Sequence, residues 1–348
     1  MREISVFNNK SFYKLSFKYI CIFLIILLIP IITPTNVFSE QVVTFSGTES
    51  EFDAEAKNGR IYGNITYPKV HDINTPVIII VPDLGNVDRN GNIYNITENN
   101  YYKNLAYQLS NNGFITLRYD KRGIGESSNL VDNKTPTISQ HKDDLINIVN
   151  YINKKMGRKD NKIFLFGHDE GGLIVSLTAQ ERNFSGLIFY SFQAVKQEDI
   201  IKERLLKDSN NLYIEGTLKD KYILVDIYND LVRAIEKNLE FTVKDKNIPK
   251  RYKNLFLSLY FQKEYSKELL NLMPIKLIEK QNSPVFIVNG KNDDRLTEKG
   301  IIKLQVYNNK EKIEYHYLDG LGNLLLNNDF LIDSQVLDLT LRFIYKNN

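Results

Sequence analysis

The stretch Phe164-Leu-Phe-Gly-His-Asp-Glu-Gly-Gly172 carries the strongest local signal in the sequence. An apolar run leads into a Gly-x-x-x-Gly turn, and small and aliphatic residues continue over residues 171–179. This order predicts a buried strand, a sharp turn and a helix, with the side chain of Asp169 on the turn at the helix N-terminus. A carboxylate there is stabilised by free backbone N–H groups and the helix dipole, typically by about 0.3–1 kcal/mol. Asp169 therefore has a structural explanation as well as a chemical one.

Short β-branched and aromatic runs recur on both sides of this stretch, after an extended, alternating start at residues 42–45 and 61–67. The predicted strands are residues 77–81, 114–119, 162–166, 186–190, 284–288 and 313–317. The predicted helices between them are residues 101–109, 138–152, 173–179 and 298–306. The alternation predicts an α/β fold with a mostly parallel central sheet and helices on both faces. In such a fold, ligands bind beyond the carboxyl ends of the strands.

Residues 192–283 interrupt this alternation with helical periodicity and no strand signal. One apolar helix face consists of Leu224, Tyr228, Leu231, Ile235 and Leu239. A second helix is predicted around residues 255–260. We interpret residues 192–283 as a helical cap inserted between two parts of the core, residues 40–191 and 284–348. An independent helical domain is the alternative, but no Pro/Gly/Ser-rich linker flanks the segment, which favours a cap.

The N-terminal segment has the pattern of an export signal. Its basic residues are Arg2, Lys10, Lys14 and Lys18. An apolar run over residues 19–32 follows, and Val37 and Ser39 meet the small-residue requirement of a cleavage site. We expect cleavage after Ser39, so that residues 1–39 are a signal peptide and the protein is secreted, either extracellular or at the cell surface. An uncleaved membrane anchor is the alternative, although the apolar run is shorter than the roughly 20 residues of a spanning helix.

Charge and cysteine content exclude several classes of function. The chain has a formal net charge of +3, and residues 1–39 account for it with four basic residues and one acidic residue. The remainder is balanced, which argues against a nucleic-acid partner and, after cleavage, against a membrane partner. Cys21 is the only cysteine and would leave with the signal, so neither disulfides nor a reactive thiol are expected.

Three polar blocks follow successive buried strands: Asp88-Arg-Asn-Gly-Asn92, Arg118-Tyr-Asp-Lys-Arg-Gly-Ile-Gly-Glu-Ser127 and Gly167-His-Asp-Glu-Gly-Gly172. Together they resemble the α/β-hydrolase superfamily, and especially its serine-esterase and serine-aminopeptidase-like branch. Members of that branch carry a GSGPxDRDGN-type loop, an RYDxRGxGxS loop and a GHSEGG turn. The resemblance extends from about residue 61 to the predicted C-terminal helix, residues 331–345, and implies the α/β-hydrolase fold.

The resemblance also implies where the catalytic groups would stand. In that family a serine on the turn attacks the acyl carbon, a histidine takes its proton, and an acid orients the histidine. Here the nucleophile position holds Asp169, the acid position Asp293 and the histidine position Asn323. The oxyanion-loop positions hold Asp83, Leu84 and Glu170. Only the acid is retained, and Asp83 stands where a glycine usually lets a backbone N–H approach the substrate.

These replacements predict an inactive or altered catalytic site. Asparagine cannot accept and return a proton near neutral pH, so Asn323 cannot act as the base. We therefore expect a binding or scaffold protein for a small-molecule, acyl or peptide ligand that the sequence does not identify. The alternative is an active hydrolase on ester or related acyl substrates with Asp169 as nucleophile, as in epoxide hydrolases and haloalkane dehalogenases. Without a histidine, that mechanism predicts at best a single turnover.

The same edge of the sheet raises the question of a cation. Five oxygen-bearing side chains are expected on its turns: Asp83, Asp169, Asp293, Asp294 and Asn323. Closely spaced carboxylates repel, so one of them is protonated, or a cation or basic ligand lies among them. A calcium site is kept as a hypothesis, and no metal or cofactor is assigned. For His168, next to the turn, a packing role is favoured over catalysis.

The Arg118–Ser127 block has a structural explanation. We expect Asp120 and Arg122 to tie this loop to neighbouring turns, with Gly123 and Gly125 supplying the backbone freedom that the turn needs.

Overall fold

The computed structural model describes residues 43–83, 85–93, 98–130, 136–196, 199–200, 263–308 and 312–348, with the single residues 203, 229, 233 and 237. The predicted signal peptide, Leu84 and most of the predicted cap lie outside the described residues, so those predictions stay predictions. Within the described residues, no helix is both long and apolar enough to cross a membrane.

Eight strands form a single sheet in the order β1-β2-β4-β3-β5-β6-β7-β8. Their bounds are β1 Thr48–Ala56, β2 Gly59–Tyr67, β3 Val77–Val81, β4 Ile115–Tyr119, β5 Ile163–His168, β6 Gly186–Tyr190, β7 Val285–Gly290 and β8 Ile313–Leu318. β2 runs antiparallel to β1 and β4, and the pairs from β4 to β8 are parallel. The predicted α/β-hydrolase fold, with its mostly parallel sheet, is confirmed.

Strands β3 to β7 were predictable because every residue in them is buried. Strands covered on both faces have nearly continuous apolar runs, and β4 departs from this pattern with the buried Thr116 and Arg118. The alternating β3 residues show the two faces: Ile79 belongs to one hydrophobic core, whereas Ile78 and Ile80 belong to the other.

Strand β1 was not predicted from the sequence. Acidic side chains at every second position lower its apparent β propensity: Glu49, Glu51, Asp53 and Glu55. The strand nevertheless forms a hairpin with β2 through Asn58, whose φ of 72° lies in the left-handed region. The described part of the predicted extended segment, residues 43–45, lies outside the sheet.

Helices cover both faces of the sheet. In the described part they are α1 Tyr101–Asn111, α2 Ile138–Met156, α3 Gly171–Thr178, α4 Lys263–Asn271, α5 Pro274–Glu279, α6 Glu298–Tyr307 and α7 Ser334–Asn347. Buried residues of α2, α3, α4 and α5 join the core that contains Ile79, while those of α1 and α7 join the core on the opposite face. Tyr265 and Leu269 of α4 and Ile275 of α5 thus belong to the layer on the sheet, although they come from the segment interpreted as a cap.

The loop after β4 is held by ion pairs: Asp120 binds a neighbouring loop, as the sequence suggested, whereas Arg122 binds helix α2 rather than a turn. Asp120 accepts the backbone N–H of Arg89 at 2.8 Å and also pairs with its side chain at 3.2 Å. Arg122 donates twice to the Asp144 carboxylate, at 2.6 and 3.0 Å. Gly125 has a φ of 49°, and a Cβ there would lie 2.3 Å from the Asp120 carboxylate. These contacts connect the loop after β4 to the loop after β3 and to helix α2.

Candidate functional site

Asp169 lies on a strained turn between β5 and α3. Its φ of 46° falls in the left-handed region, which non-glycine residues adopt at a cost of about 1–3 kcal/mol. Its backbone N–H donates to the Tyr190 carbonyl at 2.9 Å, and its carbonyl accepts from the Gly172 N–H at 3.0 Å. A Cβ on Gly171 would lie 2.5 Å from the Pro82 carbonyl oxygen, so that position requires glycine for the helix to approach β3. The turn thus holds one buried carboxylate at the carboxyl edge of the sheet.

Arg295 lies at the centre of the site and was not singled out from the sequence. Its Nη1 is 2.6 Å from Oδ2 of Asp169 and 4.0 Å from Oδ2 of Asp83. Its Nε is 3.6 Å from Oδ1 of Asp293, which also accepts its backbone N–H at 3.0 Å. The guanidinium therefore links the carboxylate at the nucleophile position to the carboxylate at the acid position.

The electrostatics follow from this arrangement. Burial lowers the pKa of Arg295, but Asp169, Asp83 and Asp293 outweigh it, so the pKa is raised and the guanidinium stays charged. Burial raises the pKa of Asp293, and the Arg295 charge opposes that rise. The sequence analysis expected a positive charge among these carboxylates, and Arg295 supplies one. Asp294 is exposed.

Asn323 reaches the acid position as an imidazole would. Its Nδ2 donates to Oδ2 of Asp293 at 3.3 Å, and its main-chain carbonyl accepts the Ser191 hydroxyl at 2.6 Å. The three positions that the resemblance singled out, Asp169, Asp293 and Asn323, therefore lie together. The amide makes the hydrogen bond to the acid but cannot take up a proton.

His168 is buried beside the site, and both of its ring nitrogens are engaged. Nε2 lies 3.2 Å from the Asn323 carbonyl oxygen, and Nδ1 lies 3.0 Å from the Tyr102 hydroxyl. A carbonyl can only accept, so these partners assign the proton to Nε2 and make Nδ1 an acceptor. Burial lowers the pKa of His168 to about 4, so the ring is neutral at pH 7. The partners fit the packing role favoured from the sequence.

In the oxyanion-loop region, the Asp83 side chain accepts a backbone N–H. The Glu170 N–H donates to Oδ1 of Asp83 at 3.3 Å, and the Asp83 N–H donates to the Tyr102 hydroxyl at 2.8 Å. Lys121 is buried, and its ammonium donates to the carbonyls of Asp83 and, at 2.9 Å, of Gly85. Backbone donors of an oxyanion hole are instead directed at the reacting oxygen. Leu84, the third predicted position, lies outside the described residues.

Sequence comparisons find relatives among hydrolases. A family model described as serine aminopeptidase, S33, matches residues 96–327. Esterase EstD of Thermotoga maritima is 24% identical over 270 residues, an alignment that covers 77% of this chain and 58% of that esterase. The chain thus spans less than two thirds of the length of this curated relative.

Comparison with solved structures supports the fold. The α/β hydrolase GrgF from Penicillium sp. sh18 superimposes with a TM-score of 0.56 at 17% identity, covering 86% of this chain and 99% of that one. The esterase PF2001 of Pyrococcus furiosus gives a TM-score of 0.57 at 11% identity, covering 88% and 95%. At these identities the likeness concerns the fold alone.

Proposed function

Because the chain belongs to the serine aminopeptidase family of α/β-hydrolase-fold proteins, we propose that it is a member in which the catalytic site has become a non-catalytic binding site. The observation that carries this proposal is the Arg295 guanidinium, 2.6 Å from the Asp169 carboxylate and linked to Asp293. Acyl transfer needs a free nucleophile there, whereas this carboxylate is engaged in an ion pair.

The groups that acyl transfer requires are either replaced or already engaged in other contacts. The nucleophile position carries a carboxylate in an ion pair with Arg295, and this positive charge makes the carboxylate a weaker nucleophile. The base position carries Asn323, and the nearby His168 has both nitrogens engaged. The Glu170 N–H, a candidate oxyanion donor, already donates to Asp83. Binding needs none of these groups to be free, so the fold can retain a ligand site without turnover.

The competing function is ester hydrolysis with Asp169 as nucleophile. The strained turn at φ 46° favours it, because backbone strain is often found at functional positions. Against it stand the guanidinium on the carboxylate and the lack of an imidazole to activate water for the second step. We therefore rank it second.

We also propose that the protein is exported, with residues 1–39 as the signal peptide. The support is the sequence pattern alone: basic residues, a short apolar run and Ser39 before the cleavage point. N-terminal sequencing of the secreted protein is expected to begin at Glu40 or within a few residues of it. Finding Met1 on membrane-bound protein would reverse this proposal in favour of an uncleaved anchor.

Labelling with a serine-directed fluorophosphonate tests the proposed loss of catalysis. We expect no labelling of the parent protein. A rebuilt site, Asp169→Ser with Asn323→His and Arg295→Gly, is expected to label and to hydrolyse short acyl esters, because Asp293 remains to orient the new imidazole. The matched variant that keeps Arg295 should label more slowly, since the guanidinium competes for Asp293.

Labelling of the parent would contradict the proposal by revealing an activated serine elsewhere. Silence of the rebuilt site together with esterase activity of the parent would favour the aspartate alternative. The parent's activity must therefore be measured in the same experiment.

A further inference from the structure

Strand β1 leaves one side of the sheet open. It is the first strand in the sheet order, so its outer side has no neighbouring strand within the described residues. The backbone of Tyr62, on β2, shows which groups of β1 point to that side. Tyr62 accepts the Asp120 N–H at 2.9 Å, and its own N–H donates to the Ser127 hydroxyl at 3.0 Å. Both partners lie beyond β4, on the other side of β2, so the two backbone groups of Tyr62 point away from β1.

The register of the hairpin transfers this orientation to β1. Asp53 stands directly opposite Tyr62. In an antiparallel pair, directly opposed residues either both bond across the pair or both point outward, and the two kinds alternate along the strand. Asp53 therefore points its N–H and C=O to the open side, and Glu51 and Glu55 do the same. In the part of the chain that the structure describes, the backbone of β1 bonds to no element other than β2.

A groove with a volume of about 470 Å³ lies between this open edge and helix α2. Its strand wall includes the three residues whose backbone groups point outward. Its helix wall is one face of α2, with residues spaced i, i+3, i+4 and i+7: Asn147, Asn150, Tyr151 and Lys154. Phe52 of β1 packs against Tyr151 with ring centroids 5.3 Å apart, which holds the two walls together. An open strand edge beside a helix gives an extended segment a backbone to pair with and a surface to lie against.

The strand wall has a negative charge at every second position. Glu51 and Glu55 are exposed and have no ion pair within the described residues, while Asp53 pairs with Arg60. The other basic residues of the groove lie in the last turn of α2, at one end of the helix wall: Lys154 and Lys155. Opposite charges on directly opposed residues stabilise an antiparallel pair, and like charges destabilise it. The edge is therefore complementary to a strand with a positive charge at every second position.

We propose that this groove binds an extended peptide with Lys or Arg at every second position, as an additional strand antiparallel to β1. The basic residues stand opposite Glu51, Asp53 and Glu55 and exchange backbone hydrogen bonds with them. A second copy of the chain is a poorer occupant, because two β1 strands would place acidic residues opposite one another. The groove lies at the side of the sheet, whereas the candidate site lies in the loops after β3, β5, β7 and β8. This inference is therefore independent of the proposed function.

Isothermal titration calorimetry with the capped peptide acetyl-Lys-Val-Lys-Thr-Lys-Val-Lys-amide tests the proposal on the unmodified protein. We expect this probe to bind and the same peptide with Glu in place of Lys not to bind. Two further peptides carry backbone N-methyl groups, either on the lysines or on Val and Thr. Only the lysine N–H groups face β1 in the proposed pairing, so methylating them should weaken binding by at least about tenfold. Methylating Val and Thr should change binding by less than about twofold.

Variants of Glu51 separate the backbone contribution from the charge. Glu51→Pro removes an outward N–H and keeps the bonds between β1 and β2, because an edge strand accepts proline where its N–H faces solvent. We expect it to weaken binding of the Lys probe by about tenfold, and Glu51→Gln, which removes only the charge, by about two- to threefold. The charge-matched control for both is Glu298→Gln, an exposed position on α6 with no ion pair in the described ranges, which should leave binding unchanged.

Equal binding of the two N-methylated peptides would overturn the proposal, because it would show diffuse charge attraction without strand pairing. Absence of binding by the Lys probe at about 1 mM would overturn it too. Dimerisation of the protein that Glu51→Pro abolishes would assign the edge to a second copy of the chain instead. The peptide series needs no variant protein, so it decides the question even if Glu51→Pro does not fold. None of these results bears on the fluorophosphonate experiment, so the two proposals fail separately.

Discussion

Arg122 and Arg295 both lie in loops that follow buried strands and both pair with aspartates, but the number of partners and the exposure differ. Arg122 donates two hydrogen bonds to one partner, Asp144, and both side chains are 2% exposed. Arg295 faces three carboxylates and is 31% exposed. A closed, buried pair with matched charges stabilises the fold, whereas a partly exposed cluster is accessible to a ligand. The loop that contains Arg122 therefore stabilises the fold, whereas the loops around Arg295 form the candidate site.

Breaking the closed pair should have the largest effect on stability. Arg122→Met leaves the buried Asp144 carboxylate without its cation, and we expect a loss of about 3–5 kcal/mol in the free energy of unfolding. Urea denaturation followed by circular dichroism measures this loss. Arg122→Met combined with Asp144→Leu should recover much of it, because no charge is then left buried. A single variant as stable as the parent would show that Arg122 is not a structural tie.

Breaking the open cluster should cost less and should depend on pH. We expect Arg295→Met to lower the free energy of unfolding by about 1–3 kcal/mol at pH 7, because solvent screens a partly exposed cluster. Burial already raises the pKa of Asp293, and loss of the guanidinium raises it further. An acid whose pKa is higher in the folded than in the unfolded state lowers the free energy of unfolding at pH values above its unfolded-state pKa. This loss becomes smaller as the pH falls and the acid is protonated.

The deficit of Arg295→Met relative to the parent should therefore shrink as the pH falls from 7 towards 5. Denaturation curves at several pH values measure this change. A deficit independent of pH would mean that Arg295 acts through packing rather than charge.

An exposed pair of the same residue types gives the smallest expected effect. Arg60 and Asp53 pair on the β1–β2 hairpin with 45% of each side chain exposed. Arg60→Gln should change the free energy of unfolding by less than about 1 kcal/mol. A larger loss in the same denaturation assay would show that exposure does not explain the ranking of the three arginines.

The parts of the structure that were predictable from sequence are those with local signals. Mostly apolar runs predicted β3 to β7, and the resemblance to the serine-esterase and serine-aminopeptidase branch predicted the positions of Asp169, Asp293 and Asn323 at one edge of the sheet. Strand β1 was not predicted, because its acidic alternation resembles a loop and only its pairing with β2 makes it a strand.

Arg295 shows why the rest of the site could not be predicted. It follows Asp293 and Asp294 directly in the sequence, but spacing does not tell where a long side chain points. Clustered carboxylates need a positive charge nearby, and Arg295 is the nearest basic residue after the acid position in the sequence. This requirement for a positive charge is therefore the sequence signal by which Arg295 could have been found.

Ester turnover by the unmodified protein directly measures whether its catalytic site is inactive. With p-nitrophenyl butyrate in large excess over the protein, we expect no burst and no release of p-nitrophenol above the rate in buffer. Multiple turnovers that disappear in Asp169→Ala would contradict it, because they would show that the carboxylate beside Arg295 is a working nucleophile.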